Sequence, residues 1–289
     1  TERRRLFMGF AWAQAARPWL YACKSLRLQR NKEANNRSDS PMTYCVGLCL
    51  ENGIVFMSDT RTNSGVDNIS TFRKMHTWEK PGERAITILS AGNLATTQSV
   101  VSLLDERSKT HAERSPDILS APTMFQVATL VGQTLREVIA ANAAGGMVAD
   151  NGIFNATLLV GGQVGDGQQR LFMIYPEGNF IEASEDTPFF QIGETKYGRP
   201  IILRAYDATM SVEEAIKLLL VSFDSTIKAN LSVSPPLDVH VYEKDSLKLG
   251  RVFRIDGDDP YFQDISAGWG VALRDAFRQL PAFTMPKDA

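Results

Sequence analysis

Met42-Thr43 opens a β-type run, and three further residues with chemical potential follow at hairpin-sized intervals. Asp59 ends the second apolar run, in Ser58-Asp59-Thr60-Arg61. Lys74 closes Phe72-Arg73-Lys74 on a third run. Gly92 stands in Ser90-Ala91-Gly92-Asn93, at the start of a helical pattern. If the first run goes out and the second returns, Asp59 comes back beside Thr43. Further hairpins can bring Lys74 and Gly92 to the same sheet edge. A hydroxyl, a carboxylate, an ammonium and a glycine N–H would then share one edge, the one arrangement in the chain with residue types suited to chemistry. A methionine followed by a small residue is a good methionine aminopeptidase substrate, so Thr43 is expected to become the mature N-terminus.

Other chemistries lack their residues. No Walker-type glycine loop precedes a Lys-Ser/Thr pair, and Gly161-Gly162-Gln163-Val164-Gly165-Asp166-Gly167 reads as a flexible turn between strands. His76, His111 and His240 are too dispersed for a metal site. No G-x-S-x-G elbow occurs. Asp256-Gly257-Asp258-Asp259 is too short for a calcium loop and reads as a turn before the last helix. Cys45 and Cys49 share one strand face and read as small core residues. No metal and no cofactor are expected.

The elements that must position these residues follow from periodicity. Tyr44 to Leu50 and Ile54 to Ser58 flank Asn52-Gly53 as a hairpin, and Ser70 to Trp78 pairs with Arg84 to Ala91. Helical spacing runs from Leu94 to Lys109 and from Thr123 to Ala143, where Gly145-Gly146 stops it. Strands resume at Asn155 to Val160, Leu171 to Tyr175, Phe180 to Ala183 and Phe189 to Ile192. Helices follow at Tyr197 to Tyr206 and from a Ser211/Glu214 capping box to Ala229. Val239 to Tyr242 and Arg251 to Ile255 are late strands, and Tyr261 to Gln279 a terminal helix. Strands in hairpins and helices in pairs argue against a parallel βαβ sheet. They fit an α+β, four-layer αββα sandwich of two antiparallel sheets flanked by helices.

The 289 residues carry a net charge of −2, 44% apolar and 22% charged residues, which excludes a disordered chain and gives no overall pull toward nucleic acid. Residues 1–42 differ: nine Lys/Arg against three Asp/Glu make a basic head, and the rest is acidic. Arg3-Arg4-Arg5 before an apolar stretch gives a marginal signal-peptide pattern. A removable propeptide is a second reading. Upstream sequence with Met42 as the true initiator is the preferred one. Residues 1–42 are therefore read as an extension outside the mature protein, and 43–289 as one domain. Three cysteines are too few for a disulfide framework, and no apolar run reaches about 18 residues, so a cytoplasmic setting without a membrane span is expected.

Taken together, Met42-Thr43-Tyr44-Cys45-Val46, Ser58-Asp59-Thr60-Arg61-Thr62-Asn63-Ser64-Gly65-Val66-Asp67 and Ile69-Ser70-Thr71-Phe72-Arg73-Lys74-Met75-His76 closely resemble the proteasome-type family of N-terminal nucleophile (Ntn) hydrolases. The resemblance is nearest to the family's bacterial ancestral β-subunit branch and is reinforced by Phe223-Asp224-Ser225-Thr226, Asn230-Leu231-Ser232-Val233 and Asp258-Asp259-Pro260-Tyr261-Phe262. It covers about 43–281 and leaves out 1–42.

The resemblance implies Thr43 as nucleophile, Asp59 and Lys74 as its charged support, Gly92 as oxyanion donor and Ser232 as a supporting hydroxyl. Thr62, Ser90 and Leu94 would line the pocket for the residue before the scissile bond. The physics agrees. A threonine hydroxyl needs a base, and at a chain start its own α-amine, with a reference pKa of about 7.7–8.0, can serve. Lys74 would lower the pKa of both groups, and Asp59 would keep Lys74 charged and oriented. A backbone N–H at Gly92 would hold the oxyanion. If residues 1–42 stay attached, the Thr43 nitrogen is an amide and the site is dead.

There are departures. Lys74 falls one residue short of the family's spacing, which a deletion between Thr62 and Ser70 would explain and which leaves Arg73 as a weaker candidate. Asn93 replaces a glycine. Where the family has an aspartate on a late loop, this chain offers Asn230, Ser232 and Ser234.

The implied function is a threonine-type endopeptidase of a self-compartmentalising homo-oligomer, a ring or an open helical turn. It would act on unfolded polypeptide or peptides and could work with a separate unfoldase. Two alternatives stay open: a non-catalytic shell subunit, and an Ntn amidase for a small amide or isopeptide.

Overall fold

The computed structural model describes residues 43–63, 69–109, 116–144 and 152–285. The strands are β1 (Tyr44–Leu50), β2 (Gly53–Asp59), β3 (Arg61–Asn63), β4 (Ile69–Thr71), β5 (Met75–Lys80) and β6 (Arg84–Gly92). Two helices follow, α1 (Leu94–Lys109) and α2 (Met124–Ala144), then β7 (Ala156–Val164), β8 (Arg170–Ile174), β9 (Phe180–Glu182) and β10 (Phe189–Gly193). The chain continues through α3 (Arg199–Ala205), α4 (Val212–Ala229), β11 (Leu237–Glu243), β12 (Arg251–Ile255) and α5 (Pro260–Arg278). Two five-stranded sheets form, in the orders β10-β1-β2-β11-β12 and β5-β6-β7-β8-β9, with β3-β4 as a separate small pair. All pairings are antiparallel.

Three apolar clusters separate the four layers. In the first, Ile86, Ile88 and Val160 pack under Val100, Leu104, Val131 and Leu135 of α1 and α2. In the second, Tyr44, Val46, Leu48 and Leu50 of β1 meet Leu219, Leu220 and Phe223 of α4. In the third, the intervening β1 residue Cys45 joins Phe56, Leu89, Leu159 and Ile192 between the sheets, with Cys49 packed alongside. One strand thus serves two cores by its period of two, and the αββα sandwich expected from the element order is the observed fold. Burial pushes the Cys45 thiol far up and that of Cys49 up to about 12, so both are packed apolar groups and not nucleophiles at neutral pH.

Two local readings are corrected. The stretch Ser70 to Trp78 is two strands, with residues 72–74 outside both. There the Phe72 N–H bonds the Thr60 carbonyl at 2.8 Å, which extends the β3–β4 pairing by one position, and the Lys74 carbonyl accepts the Ser90 N–H at 2.9 Å, which does the same for β5–β6, so the chain changes partner at Arg73. Gly161 and Gly162 lie within β7 and are not a turn. A Cβ at Gly161 would stand 2.7 Å from the Phe56 ring, so glycine here lets the sheets close. The Gly145-Gly146 stop and His111 fall outside the described residues. His240 is buried, bonded through Nδ1 to the Thr87 hydroxyl at 2.7 Å and stacked on Phe56, a packing role. Asp259 caps α5 by accepting the Phe262 N–H at 3.0 Å.

Gly161→Ala should cost about 1–3 kcal/mol by overpacking the sheet interface. Urea unfolding checks this; an unchanged midpoint would show that Phe56 and Leu171 yield freely.

Candidate active site

The β1–β2 hairpin sets the first distances. Its register runs from Leu50↔Gly53 at the turn to Cys45↔Ser58, so the open end sets Tyr44 opposite Asp59, with Thr43 one residue beyond. The Tyr44 N–H donates to Asp59 Oδ1 at 2.9 Å. Lys74 Nζ reaches the same oxygen at 2.8 Å and the Arg61 carbonyl at 2.6 Å. Asp59 is fully buried, Lys74 is 5% exposed and Thr43 8% exposed. Burial pushes the Asp59 carboxyl from its ordinary 3.8 up to about 6, and the Lys74 ammonium and the peptide N–H groups hold it from rising further. At neutral pH the pair is therefore ionised and locked. Arg73, the alternative cation, is exposed.

Ser90 holds the backbone of Lys74, through its N–H at 2.9 Å and its hydroxyl at 3.4 Å. The Cys45 thiol meets the Ser90 carbonyl at 3.6 Å, which ties β1 to β6 at this end. Gly92 is the last residue of β6, one position earlier than a helix start: Asn93 is the cap of α1, its Oδ1 accepting the Thr96 N–H at 3.0 Å. Gly92 has φ +115°, and a Cβ there would meet the Asn155 carbonyl at 2.5 Å, so no other residue fits. Thr62 is half-buried beside Arg61, its hydroxyl without a hydrogen-bond partner among the described residues. Leu94, half-buried, opens α1. Ser90 thus holds Lys74 directly, Thr62 follows the Arg61 whose carbonyl Lys74 reaches, and Gly92 and Leu94 follow Ser90 along the chain.

Ser232 belongs to a second network. Its N–H and hydroxyl donate to Asn230 Oδ1 at 3.0 and 2.5 Å, and Asn230 Nδ2 donates to Glu194 Oε2 at 3.1 Å. Glu194 returns to the threonine: its N–H donates to the Thr43 carbonyl at 2.7 Å. Gly193, at φ +83°, allows this approach, since a Cβ would stand 2.0 Å from that carbonyl. Behind Thr43, the Tyr44 hydroxyl bonds Ser222 at 2.7 Å and the Gln191 amide, and its ring lies 4.4 Å from Phe223. Sequence reasoning missed Glu194, Gly193 and the Tyr44 anchor. The only signal was a lone Gly-Glu after the apolar run Phe189 to Ile192; its register against β1 is a long-range fact.

The profile of the proteasome subunit family matches residues 43–241. This chain belongs to the proteasome subunit family. The proteasome subunit beta of Haloquadratum walsbyi is 25% identical over 208 residues, spanning 72% of this chain and 76% of its own. Anbu (ancestral beta-subunit) from Yersinia bercovieri is a similar solved structure, 49% identical with a TM-score of 0.77, covering 84% of this chain and 100% of its own. The helical assembly of the Anbu complex from Pseudomonas aeruginosa is 45% identical with a TM-score of 0.78, covering 85% and 100%. The expected family and fold are thus those of the chain. Among the described residues, no helix is long and apolar enough to cross a membrane.

In this proteasome-type site the folded-state carboxyl of Asp59 binds its proton more tightly than the unfolded chain does. The group's contribution to stability is full below about pH 4, falls as pH rises and is gone above about pH 6. Lys74→Met removes the partner of a buried anion and should cost about 3–5 kcal/mol at pH 7.5. The deficit should shrink at pH 5.5, where a proton replaces the lost cation. Urea titrations at both pH values test this, and an equal deficit would show that Asp59 does not depend on Lys74 for its charge.

Proposed function

We propose that the chain is a threonine-type peptidase that cuts peptide bonds inside a homo-oligomeric assembly, with Thr43 as nucleophile once it is the mature N-terminus. The observation that carries this reading is the buried Lys74–Asp59 pair, anchored to the first peptide N–H after Thr43. A shell subunit has no need of a buried ion pair there, because such a pair is a poor way to gain stability.

The reaction runs from the geometry. The Thr43 hydroxyl attacks the scissile carbonyl and its proton passes to the residue's own amine. Lys74 favours the alkoxide electrostatically, and Asp59 fixes Lys74 in place. The Gly92 N–H is assigned to the oxyanion, where one donor contributes about 3 kcal/mol. The tetrahedral intermediate collapses, the ammonium returns its proton to the leaving amine, and water then hydrolyses the Thr43 ester. Thr62, Ser90 and Leu94 border the place where the preceding side chain would sit, which suits small or apolar residues. Energy-driven unfolding of folded substrates would come from a separate protein.

Assembly is proposed on the exposed apolar surface of α5 and beyond. Val271, Leu273, Phe277, Leu280, Phe283 and Met285 are all about half or more exposed, a density of apolar surface that calls for a partner. The Pseudomonas aeruginosa relative is described as a helical assembly. A second copy of this chain is the occupant proposed here.

Intact mass with and without a threonine-directed epoxyketone tests the chemistry. A chain starting at Thr43, an adduct, and loss of that adduct and of hydrolysis in Thr43→Ala are expected. A protein that retains residues 1–42, or that never forms the adduct, would leave the shell role. Hydrolysis should also fall below about pH 6, as Asp59 takes up a proton and releases Lys74. For assembly, the double variant Leu273→Glu/Phe277→Glu should shift the light-scattering mass to smaller species. An unchanged mass would place the interface elsewhere.

A further inference from the structure

Glu194 is 4% exposed, and among the described residues no lysine, arginine or histidine forms an ion pair with it. Among the described residues its two oxygens are met by neutral donors alone, the Lys196 N–H at 3.1 Å on Oε1 and Asn230 Nδ2 at 3.1 Å on Oε2. A buried carboxylate without a cation is costly, and such groups are ordinarily paired. The cation that a mature chain would add nearby is the α-ammonium of Thr43, whose own carbonyl already accepts the Glu194 N–H at 2.7 Å. We infer that Glu194 is a positioning residue whose carboxylate supplies, beside the Thr43 amine, the negative charge that Asn230 lacks. The inference rests on the reading of Thr43 as a free N-terminal nucleophile.

Asn230 fits this division of labour. It is placed to give its amide N–H to Glu194 and to accept from Ser232. An aspartate at 230 would set two carboxylates against each other, so an asparagine is what a buried glutamate requires of this neighbour. The Tyr44 phenol, next in sequence to Thr43, also lies within electrostatic reach of Glu194. The other charged pair near residue 43 is Lys74 with Asp59, which is tied to the following peptide N–H. Lys74 lowers the basicity of the amine and Glu194 raises it. Glu194 also stabilises the ammonium formed when the amine accepts the hydroxyl proton, a state present only after attack begins.

The test is the pKa of the Thr43 amine, measured on the assembled mature protein by competitive acetylation with acetic anhydride across pH and read by mass spectrometry. In Glu194→Gln the value should fall by about one unit, and the kcat titration that follows the amine, at higher pH than the loss tied to Asp59, should move to lower pH with it. Adding Asn230→Asp to that variant returns a carboxylate to the network and should restore the wild-type titration. If Glu194→Gln assembles poorly, Glu194→Met, which also removes the charge at similar length, carries the same readout and should show the same fall. An amine that titrates identically in wild type and Glu194→Gln, or that stays low in the double variant, overturns the inference while the peptidase reading stands. A wild-type protein with no free amine at residue 43 by intact mass sinks both.

Discussion

Asp59 is fully buried, and a carboxylate in that setting is tolerated only where donors and a cation converge on it. Three parts of the chain meet this demand at once. The Tyr44 N–H comes from β1, the Arg61 carbonyl shares Lys74 from the segment after β2, and Lys74 itself comes from the turn before β5. Because one oxygen accepts from both Tyr44 and Lys74, a shift of either strand end would strand the charge. The pair therefore contributes less as a source of stability than as a register pin. It fixes where the chain at residue 43 ends up relative to an ammonium, and most of the fold can be read as holding that pin in place.

The layers do so by closeness of approach. β1 spends its odd-numbered positions on the second sheet and its even-numbered ones on α4, so residue 43 inherits two anchors. On one side the Tyr44 hydroxyl is held by Ser222 and Gln191; on the other Cys45 packs against Ser90. Glycines set the clearance between the sheets. Gly47 would carry a Cβ 2.9 Å from Leu171, and Gly161 one 2.7 Å from Phe56. Any larger residue at these places would part the sheets and, with them, β1 and β6, which bear opposite sides of the site.

Much of this was legible in the sequence. The hairpin at Asn52-Gly53, the capping box at Ser211 and the helix from Leu94 are local signals, and the structure has each of them. Thr43, Asp59, Lys74 and Ser90 are within one or two hairpins of each other, so their convergence needs only the assumption of antiparallel pairing. Two kinds of feature were not legible. The break at 72–74 marks where the chain leaves β4 for the β5–β6 ladder while the Lys74 side chain reaches Asp59, and no local strand pattern encodes that change of partner. Glu194 meets Thr43 because β10 pairs with β1 across a large separation in sequence, and no periodicity encodes that register.

The two networks around Thr43 differ in charge, and the difference is informative about how such a site is divided. On the Asp59 side a carboxylate and an ammonium cancel, leaving a fixed, oriented cation whose field is local. On the Glu194 side, among the described residues, a carboxylate is met by an amide and a peptide N–H and by no cation. A residue that is both attacker and base needs its hydroxyl made more acidic and its amine kept basic, and a single nearby charge cannot do both, since a cation lowers both values and an anion raises both. On the proposed reading, dividing the two charges between Lys74 and Glu194 resolves that conflict. The same reading accounts for the asparagine at 230: with the carboxylate on Glu194 just after β10, the loop residue is the donor that holds it.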